Sequence, residues 1–227
     1  MPAWSLDAPD WAYRARRMRQ AEAMDASDLP ARERQQALLG LERIATWPGQ
    51  RAPLLRALLA LLGPPSDRRR KLVEVGAGSG SLAPWLQARL AQHGHQVEVL
   101  ATDRVAAPGV RRLDALRGPL PEADIYFSNL FLHHLPDDKL SRMLQRQAAA
   151  CRVGLAHFDL HRHALHYYPA AALIQVARLP RINLVDGLRS IQQGYTRVEL
   201  QALASRLPGA QVRWSFPFRW MLTWQRS

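Results

Sequence analysis

A glycine loop between two apolar segments constrains this chain more than any other feature. Residues 72–86 read LVEVGAGSGSLAPWL, and Gly76, Gly78 and Gly80 alternate there with small residues. The apolar run before the loop predicts a buried strand, and the apolar spacing after it predicts a helix. A strand, a glycine loop and a helix in this order are typical of a ligand site at the carboxyl edge of a parallel sheet. A structural turn also favours glycine, so the loop alone leaves both interpretations open.

Strands and helices alternate along the rest of the chain. Five apolar segments between residues 71 and 160 predict strands, and helical patterns separate most of them. Two late segments within 211–226 predict a further pair of strands, compatible with an antiparallel strand at one edge of the sheet. We therefore expect an α/β fold, a Rossmann-like doubly wound sheet of seven strands that is mostly parallel with one antiparallel edge strand.

Residues 10–62 have a mostly helical pattern and precede the alternating region. The chain is therefore divided into an N-terminal helical extension, residues 1–66, and a Rossmann-like domain, residues 67–227. We expect the extension, with Trp4, Trp11 and Tyr13, to cover the carboxyl edge of the sheet as a lid. An oligomer contact or a helix on a membrane surface would have a similar composition.

The basic composition raises nucleic acid as a partner. The net charge is +12, and clustered cations neutralise phosphates. The arginines are spread along the chain, however, and aromatic residues are not interleaved with them as a base-stacking surface requires. This pattern argues against a nucleic-acid partner without excluding one.

The chain also lacks the features of disulfide-rich and membrane proteins. Cys151 is the only cysteine, so neither a disulfide framework nor a thiolate zinc cluster is available. No stretch approaches the roughly 20 apolar residues that cross a bilayer. Acidic residues and arginines stand near the N-terminus, where a signal peptide needs an apolar core. We therefore expect a cytoplasmic protein without a transmembrane segment, as a monomer or homodimer.

Three classes of ligand compete for the glycine loop. The phosphate loop of NTPases ends in Gly-Lys-Ser/Thr, and no lysine follows these glycines. The dinucleotide fingerprint needs a glycine at position 81, where the chain has Ser81. What remains is a carboxylate, Glu74, near the end of the strand, followed by G-x-G-x-G. An acid at this place favours a cationic ligand and repels a pyrophosphate.

The segment resembles the first motif of class I S-adenosylmethionine-dependent methyltransferases. The resemblance implies S-adenosylmethionine (SAM) as cofactor and S-adenosylhomocysteine (SAH) as product. It implies that Glu74 faces the methionyl ammonium and that Gly76, Ala77 and Gly78 bring the backbone close to the cofactor.

Two later acids complete the predicted cofactor site. Asp103 ends the second strand, 23 residues after Gly80, where a carboxylate can accept hydrogen bonds from both ribose hydroxyls. We place Arg104 beside it in the cofactor site. The resemblance implies that Asp114 and the backbone of Ala115 receive the adenine amino group. Either acid could instead stabilise a turn.

The fourth predicted strand carries the most specific resemblance. ADIYFSNLFLHHLPDDKL is similar to the corresponding segment of small-molecule methyltransferases of the ubiquinone and menaquinone biosynthesis type. Asn129, at the end of this strand, is implied to lie beside the transferring methyl group. The N-P-P-aromatic signature of enzymes that methylate exocyclic amines is absent, because Leu130 and Phe131 stand in place of its prolines.

The tail from residue 158 has a looser likeness to a bacterial branch that modifies small phenolic, quinone-like or polyketide products. That branch has an asparagine where this chain has Phe158. Arg162 and Arg189 are candidates for binding a carboxylate or phenolate of the acceptor. His166 and Tyr167 are further candidates for substrate contacts, with core packing as the alternative for the tyrosine.

Histidines cluster after the fourth and fifth strands. A phenol or hydroxyl acceptor needs a general base, and His133, His134 and His161 are the candidates for that role. The H-x-H-x-x-H pattern at 161–166 also suggests a metal site, but few further ligands stand nearby, so we expect none.

The sequence therefore predicts a SAM-dependent methyltransferase of a small-molecule acceptor. O-methylation is favoured, with C-methylation as the alternative within the same function. Two other functions stay open: methylation of RNA or protein through the basic surface, and a non-catalytic cofactor-binding scaffold.

Overall fold

The computed structural model describes residues 12–20, 22–26, 28–45 and 50–226. Trp4 and Trp11 of the predicted lid lie outside the described residues. A seven-stranded sheet forms the centre of the fold, in the spatial order β3-β2-β1-β4-β5-β7-β6. Its strands are β1 (Arg70–Val75), β2 (Val97–Asp103), β3 (Arg111–Arg112), β4 (Ala123–Asn129), β5 (Cys151–Leu160), β6 (Gln211–Ser215) and β7 (Arg219–Gln225).

The sheet confirms the predicted fold class. Strands β1 to β5 pair in parallel, and β7 runs antiparallel to both β5 and β6. The antiparallel strand therefore stands one place inside the edge, with β6 outside it. The strand order reverses between β1 and β4, the point at which open α/β sheets form their ligand crevice.

Helices cover both faces of the sheet. They are α1 (Ala31–Ala45), α2 (Ala52–Leu62), α3 (Leu82–Gln92), α4 (Asp137–Ala150), α5 (Ala164–Val176), α6 (Arg181–Gln193) and α7 (Arg197–Ala204). Helices α2 and α3 pack on one face and share a core with Leu72, Ile125 and Met221. Helices α4 and α7 pack on the other face, over Val73 and Leu222.

The N-terminal region differs from the prediction. Residues 12–20 are not helical, and the first helical element described is a short 3-10 helix, Ala23–Asp25. Leu54 and Leu58 of α2 are fully buried in the core beneath the sheet. A boundary at residue 66 therefore separates α2 from strands with which it shares a core.

Helix α6 was not predicted from the sequence. Its middle contains Gly187, and its buried positions include the polar residues Asn183 and Asp186, so the apolar period is interrupted. Both side chains are used inside the protein. Asp186 accepts hydrogen bonds from the backbone of Ala23 and Met24, at 2.8 and 2.9 Å. Among the described helices, none is long and apolar enough to span a membrane.

Candidate functional site

A cavity of about 930 Å³ opens at the carboxyl edge of the sheet. All nine residues predicted to bind the cofactor line it, together with two of the three histidines predicted to act as base: Glu74, Gly76, Ala77, Gly78, Asp103, Arg104, Asp114, Ala115, Asn129, His133 and His134. The carboxyl ends of parallel strands meet at one edge, which explains how residues from four separate segments come together.

The glycine loop leaves β1 with a left-handed backbone. Gly76 and Gly78 have φ angles of +72° and +54°. A Cβ atom on Gly76 would lie 2.2 Å from the ring of Phe131, whereas one on Gly78 would meet nothing within 4 Å. The loop is therefore packed against protein at Gly76 and borders open space at Gly78.

Glu74 is a buried carboxylate without a complete set of partners. Its side chain is 2 % exposed, and Oε2 makes no hydrogen bond. Burial raises its pKa to about 8; the Arg51 cation opposes this shift and the Asp103 charge adds to it. Buried carboxylates are normally paired, so this site is suited to a ligand that brings a positive charge and N–H donors.

Asp103 joins the end of β2 to the glycine loop. Its Oδ2 accepts a hydrogen bond of 3.0 Å from the Gly78 N–H, and its Oδ1 accepts one of 3.1 Å from the Val105 N–H. Carboxylate oxygens have about four acceptor positions, so these two bonds leave acceptor capacity for a ligand. Asp114 stabilises a turn through the Leu116 N–H at 2.8 Å and also borders the cavity.

The end of β4 turns sharply into the cavity. Leu130 has a φ of +56°, which is uncommon for a residue other than glycine, and its N–H donates to the carbonyl of Phe158 at 2.8 Å. This turn places Asn129 in the cavity wall. Ser128 is fully buried and instead bonds to His157 Nδ1 at 2.8 Å.

His133 lies between two carboxylates. Its Nδ1 is 2.7 Å from Asp159 Oδ1, and its Nε2 is 3.6 Å from Glu22 Oε1. Burial alone would lower the pKa of this imidazole, but the charge and hydrogen bond of Asp159, with Glu22, raise it to about 10. The contacts with Asp159 and Glu22 favour the protonated imidazole and argue against the predicted role of His133 as a general base.

Two of these side chains also belong to a cluster of residue types that can bind a metal ion. Among the described residues, Glu22, His133 and His134 place one donor atom each within 4.8 Å of one another. The His133 cation lowers the pKa of the Glu22 carboxyl despite its burial.

The N-terminal segment, residues 12–26, reaches this cavity. Arg17 donates to the carbonyls of His133 and Leu135, each at 3.1 Å, and its guanidinium lies over the ring of Tyr195. Arg17 and Glu22 both line the cavity. No motif in the sequence identified them, because their partners lie more than a hundred residues away.

Five predicted residues do not line the cavity: His161, Arg162, His166, Tyr167 and Arg189. Arg162 is buried and pairs with Glu199 at 2.6 Å, and Tyr167 packs in a core with Leu160 and Leu188. Arg189 lies 3.5 Å from Asp186. These contacts give structural roles to three residues that were expected to hold the acceptor.

The two histidines of this group lie near the end of β5. His161 packs against Trp220, and burial lowers its pKa to about 4. His166 Nδ1 is 3.0 Å from the carbonyl of His161, so it is the donor, and Nε2 accepts from Arg219 at 3.0 Å. Arg219 itself lines the cavity, so His166 acts on the site only through this arginine.

The comparisons with known proteins found similar structures but no match in sequence. No protein-family model and no curated protein matches the sequence. Human N-acetylserotonin methyltransferase in complex with SAM superposes with a TM-score of 0.54 at 17 % identity, over 85 % of this chain and 56 % of that one. The plantazolicin methyltransferase in complex with SAH gives a TM-score of 0.64 at 9 % identity, over 88 % and 91 % of the two chains.

The chain has the class I methyltransferase fold. A family 2 O-methyltransferase from Planctomyces limnophilus, in complex with apigenin, also matches, with a TM-score of 0.54 at 12 % identity over 88 % of this chain. The chain spans 63 % of that protein and 56 % of the human enzyme. The fold places the ligand crevice at the edge where the cavity lies.

Proposed function

We propose that this protein is a SAM-dependent methyltransferase of a small-molecule acceptor. The observation that carries the proposal is Glu74, a buried carboxylate with an unpartnered oxygen in the cavity wall. An ammonium group supplies the charge and the donors that this oxygen lacks. SAM has such a group and supplies an electrophilic methyl on its sulfonium.

The residues around Glu74 suit the remainder of the cofactor. Arg51 lines the cavity and its charge acts on Glu74, so a cation and an anion of one amino-acid group can be bound side by side. Asp103 offers acceptor capacity for the ribose hydroxyls, and Ala115 and Leu116 offer an apolar wall for adenine.

The N-terminal segment beside the cavity favours a small acceptor. Arg17 and Glu22 anchor the N-terminal segment to the His133 region, next to the cofactor residues. Anchoring of this kind suits methyl transfer, in which positioning is the main contribution of the protein.

His134 is the proposed base for an oxygen acceptor. It lines the cavity and is exposed, whereas His133 is held protonated and His161 lies outside the cavity wall. A pH profile of methyl transfer tests this role: the acidic limb seen in the wild type should be lost in His134→Gln, and an unchanged limb would exclude His134.

Calorimetry with SAM and SAH tests the proposed function. We expect both to bind the wild type, and Glu74→Gln and Asp103→Asn each to weaken binding by about tenfold or more, because a charged hydrogen bond is worth roughly 1.5–3 kcal/mol. Glu122→Gln is the matched control, since Glu122 is exposed and pairs with Arg152 away from the cavity. A wild type that binds neither compound would refute the proposal.

A further inference from the structure

Arg219 is a buried cation that has no carboxylate partner among the residues that the structure describes. It is 6 % exposed and lines the cavity. Its hydrogen bonds within the described part of the chain go to neutral groups: His166, the carbonyls of Pro217 and Phe218, and Gln50 at a long 3.4 Å. The Nε atom is buried and has no partner. Buried charges in proteins are normally paired, so we expect this guanidinium to bind an anionic group.

Among the described residues, no carboxylate is in hydrogen-bond contact with Arg219. Asp159 is the carboxylate whose charge acts on Arg219, but it already binds the His133 cation at 2.7 Å. Burial lowers the pKa of Arg219 to about 10, which leaves it charged at neutral pH. His166 does not neutralise the guanidinium charge either, because its Nε2 accepts the hydrogen bond as part of an uncharged imidazole ring.

Arg219 lies three strands away from Glu74 in the sheet. Leu72 and Met221 share one core, and Glu74 and Arg219 lie two residues from them, so both face the same side of the sheet. Strands β4 and β5 lie between β1 and β7. Three strand spacings amount to about 14 Å across the sheet, which separates Arg219 from Glu74, the residue proposed to bind the amino group of the cofactor.

We propose that Arg219 anchors an anionic group, a carboxylate or a phosphate, on the methyl acceptor. The inference rests on the proposed function and names the class of its substrate. The guanidinium presents paired N–H donors to such groups. His166 is a positioning residue, which fixes Nη1 by accepting its hydrogen bond.

Binding of matched aromatic probes to the protein saturated with SAH tests the proposal. The probes are benzoate, phenyl phosphate and the uncharged benzyl alcohol. We expect one of the anions to bind the wild type at least tenfold more tightly than benzyl alcohol, and the tighter of the two identifies the group. Equal binding of all three probes by the wild type would overturn the proposal.

Variants assign the preference to Arg219. In Arg219→Gln the anion preference should fall to within twofold, and in Arg219→Lys it should fall at least threefold, because an ammonium cannot form the paired bonds. Arg213→Gln removes an exposed arginine of β6 and should keep the full preference. An undiminished preference in either Arg219 variant contradicts the proposal.

SAH affinity separates the two proposals. We expect it to stay within twofold of the wild-type value in Arg219→Gln. A large loss there assigns Arg219 to the cofactor and overturns the acceptor site while leaving the methyltransferase proposal standing. A wild type that binds no SAH refutes the proposed function itself.

Discussion

The buried carboxyl of Glu74 couples cofactor binding to protons. Its pKa in the free protein is about 8, and the ammonium partner requires the ionised form. About 1 % of Glu74 is then ionised at pH 6.0 and about a quarter at pH 7.5. Affinity for SAH should therefore rise about 25-fold over this range, which corresponds to about 2 kcal/mol.

Calorimetry in two buffers of different ionisation enthalpy measures the coupled proton. We expect nearly one proton to be released per SAH bound at pH 6.0, and less at pH 7.5. An α-amino group with a pKa of about 7.7–8.0 is fully protonated at pH 6.0 but partly deprotonated at pH 7.5, so the proton count at pH 6.0 is the decisive one. Affinity that is constant within twofold, or binding without proton release, would refute the reasoning.

Glu74→Gln provides a check in the free protein. The folded-state pKa is raised above its ordinary value, so the folded protein binds more protons than the unfolded chain between pH 4.5 and 8. Glu74 therefore reduces stability as pH rises through this window. At pH 8 the free energy of unfolding of the glutamine variant should exceed that of the wild type by on the order of 3 kcal/mol, and that of Glu122→Gln should not.

Three further substitutions test the remaining geometry. Gly76→Ala should lower stability by about 1–3 kcal/mol, because the new Cβ would lie 2.2 Å from Phe131 at a φ of +72°; denaturant unfolding equal to wild type contradicts this. Asp159→Asn should cost about 3–5 kcal/mol, since it leaves the buried His133 cation without its principal partner; a thermal midpoint within 2 °C of wild type would exclude the ion pair. His133 has a raised pKa, so its stabilisation is complete below pH 6.5 and lost as pH rises through about 10; circular dichroism at high pH should show that loss in the wild type but not in Asp159→Asn.

The acceptor side of the cavity was the part that the sequence did not reveal. Arg17, Glu22 and Arg219 line this cavity, and none belongs to a recognisable motif. The one available signal was Arg219, a charged residue that alternates with Met221 at the apolar start of β7. Residues after β5 were expected there instead, but Arg162 pairs with Glu199 of α7, Tyr167 of α5 packs in a core, and Arg189 of α6 lies beside Asp186.

The sequence by itself determined the α/β fold and placed the proposed cofactor residues. Both depend on short-range order: a strand, a loop and a helix fix their own geometry, and parallel strands deliver their carboxyl ends to one edge. Tertiary structure decided the rest. Whether His133 is a base or a cation depends on Glu22 and Asp159, and whether Arg219 is paired depends on every carboxylate within reach. Such electrostatic properties arise from distances between remote segments, which spacing along the chain does not encode.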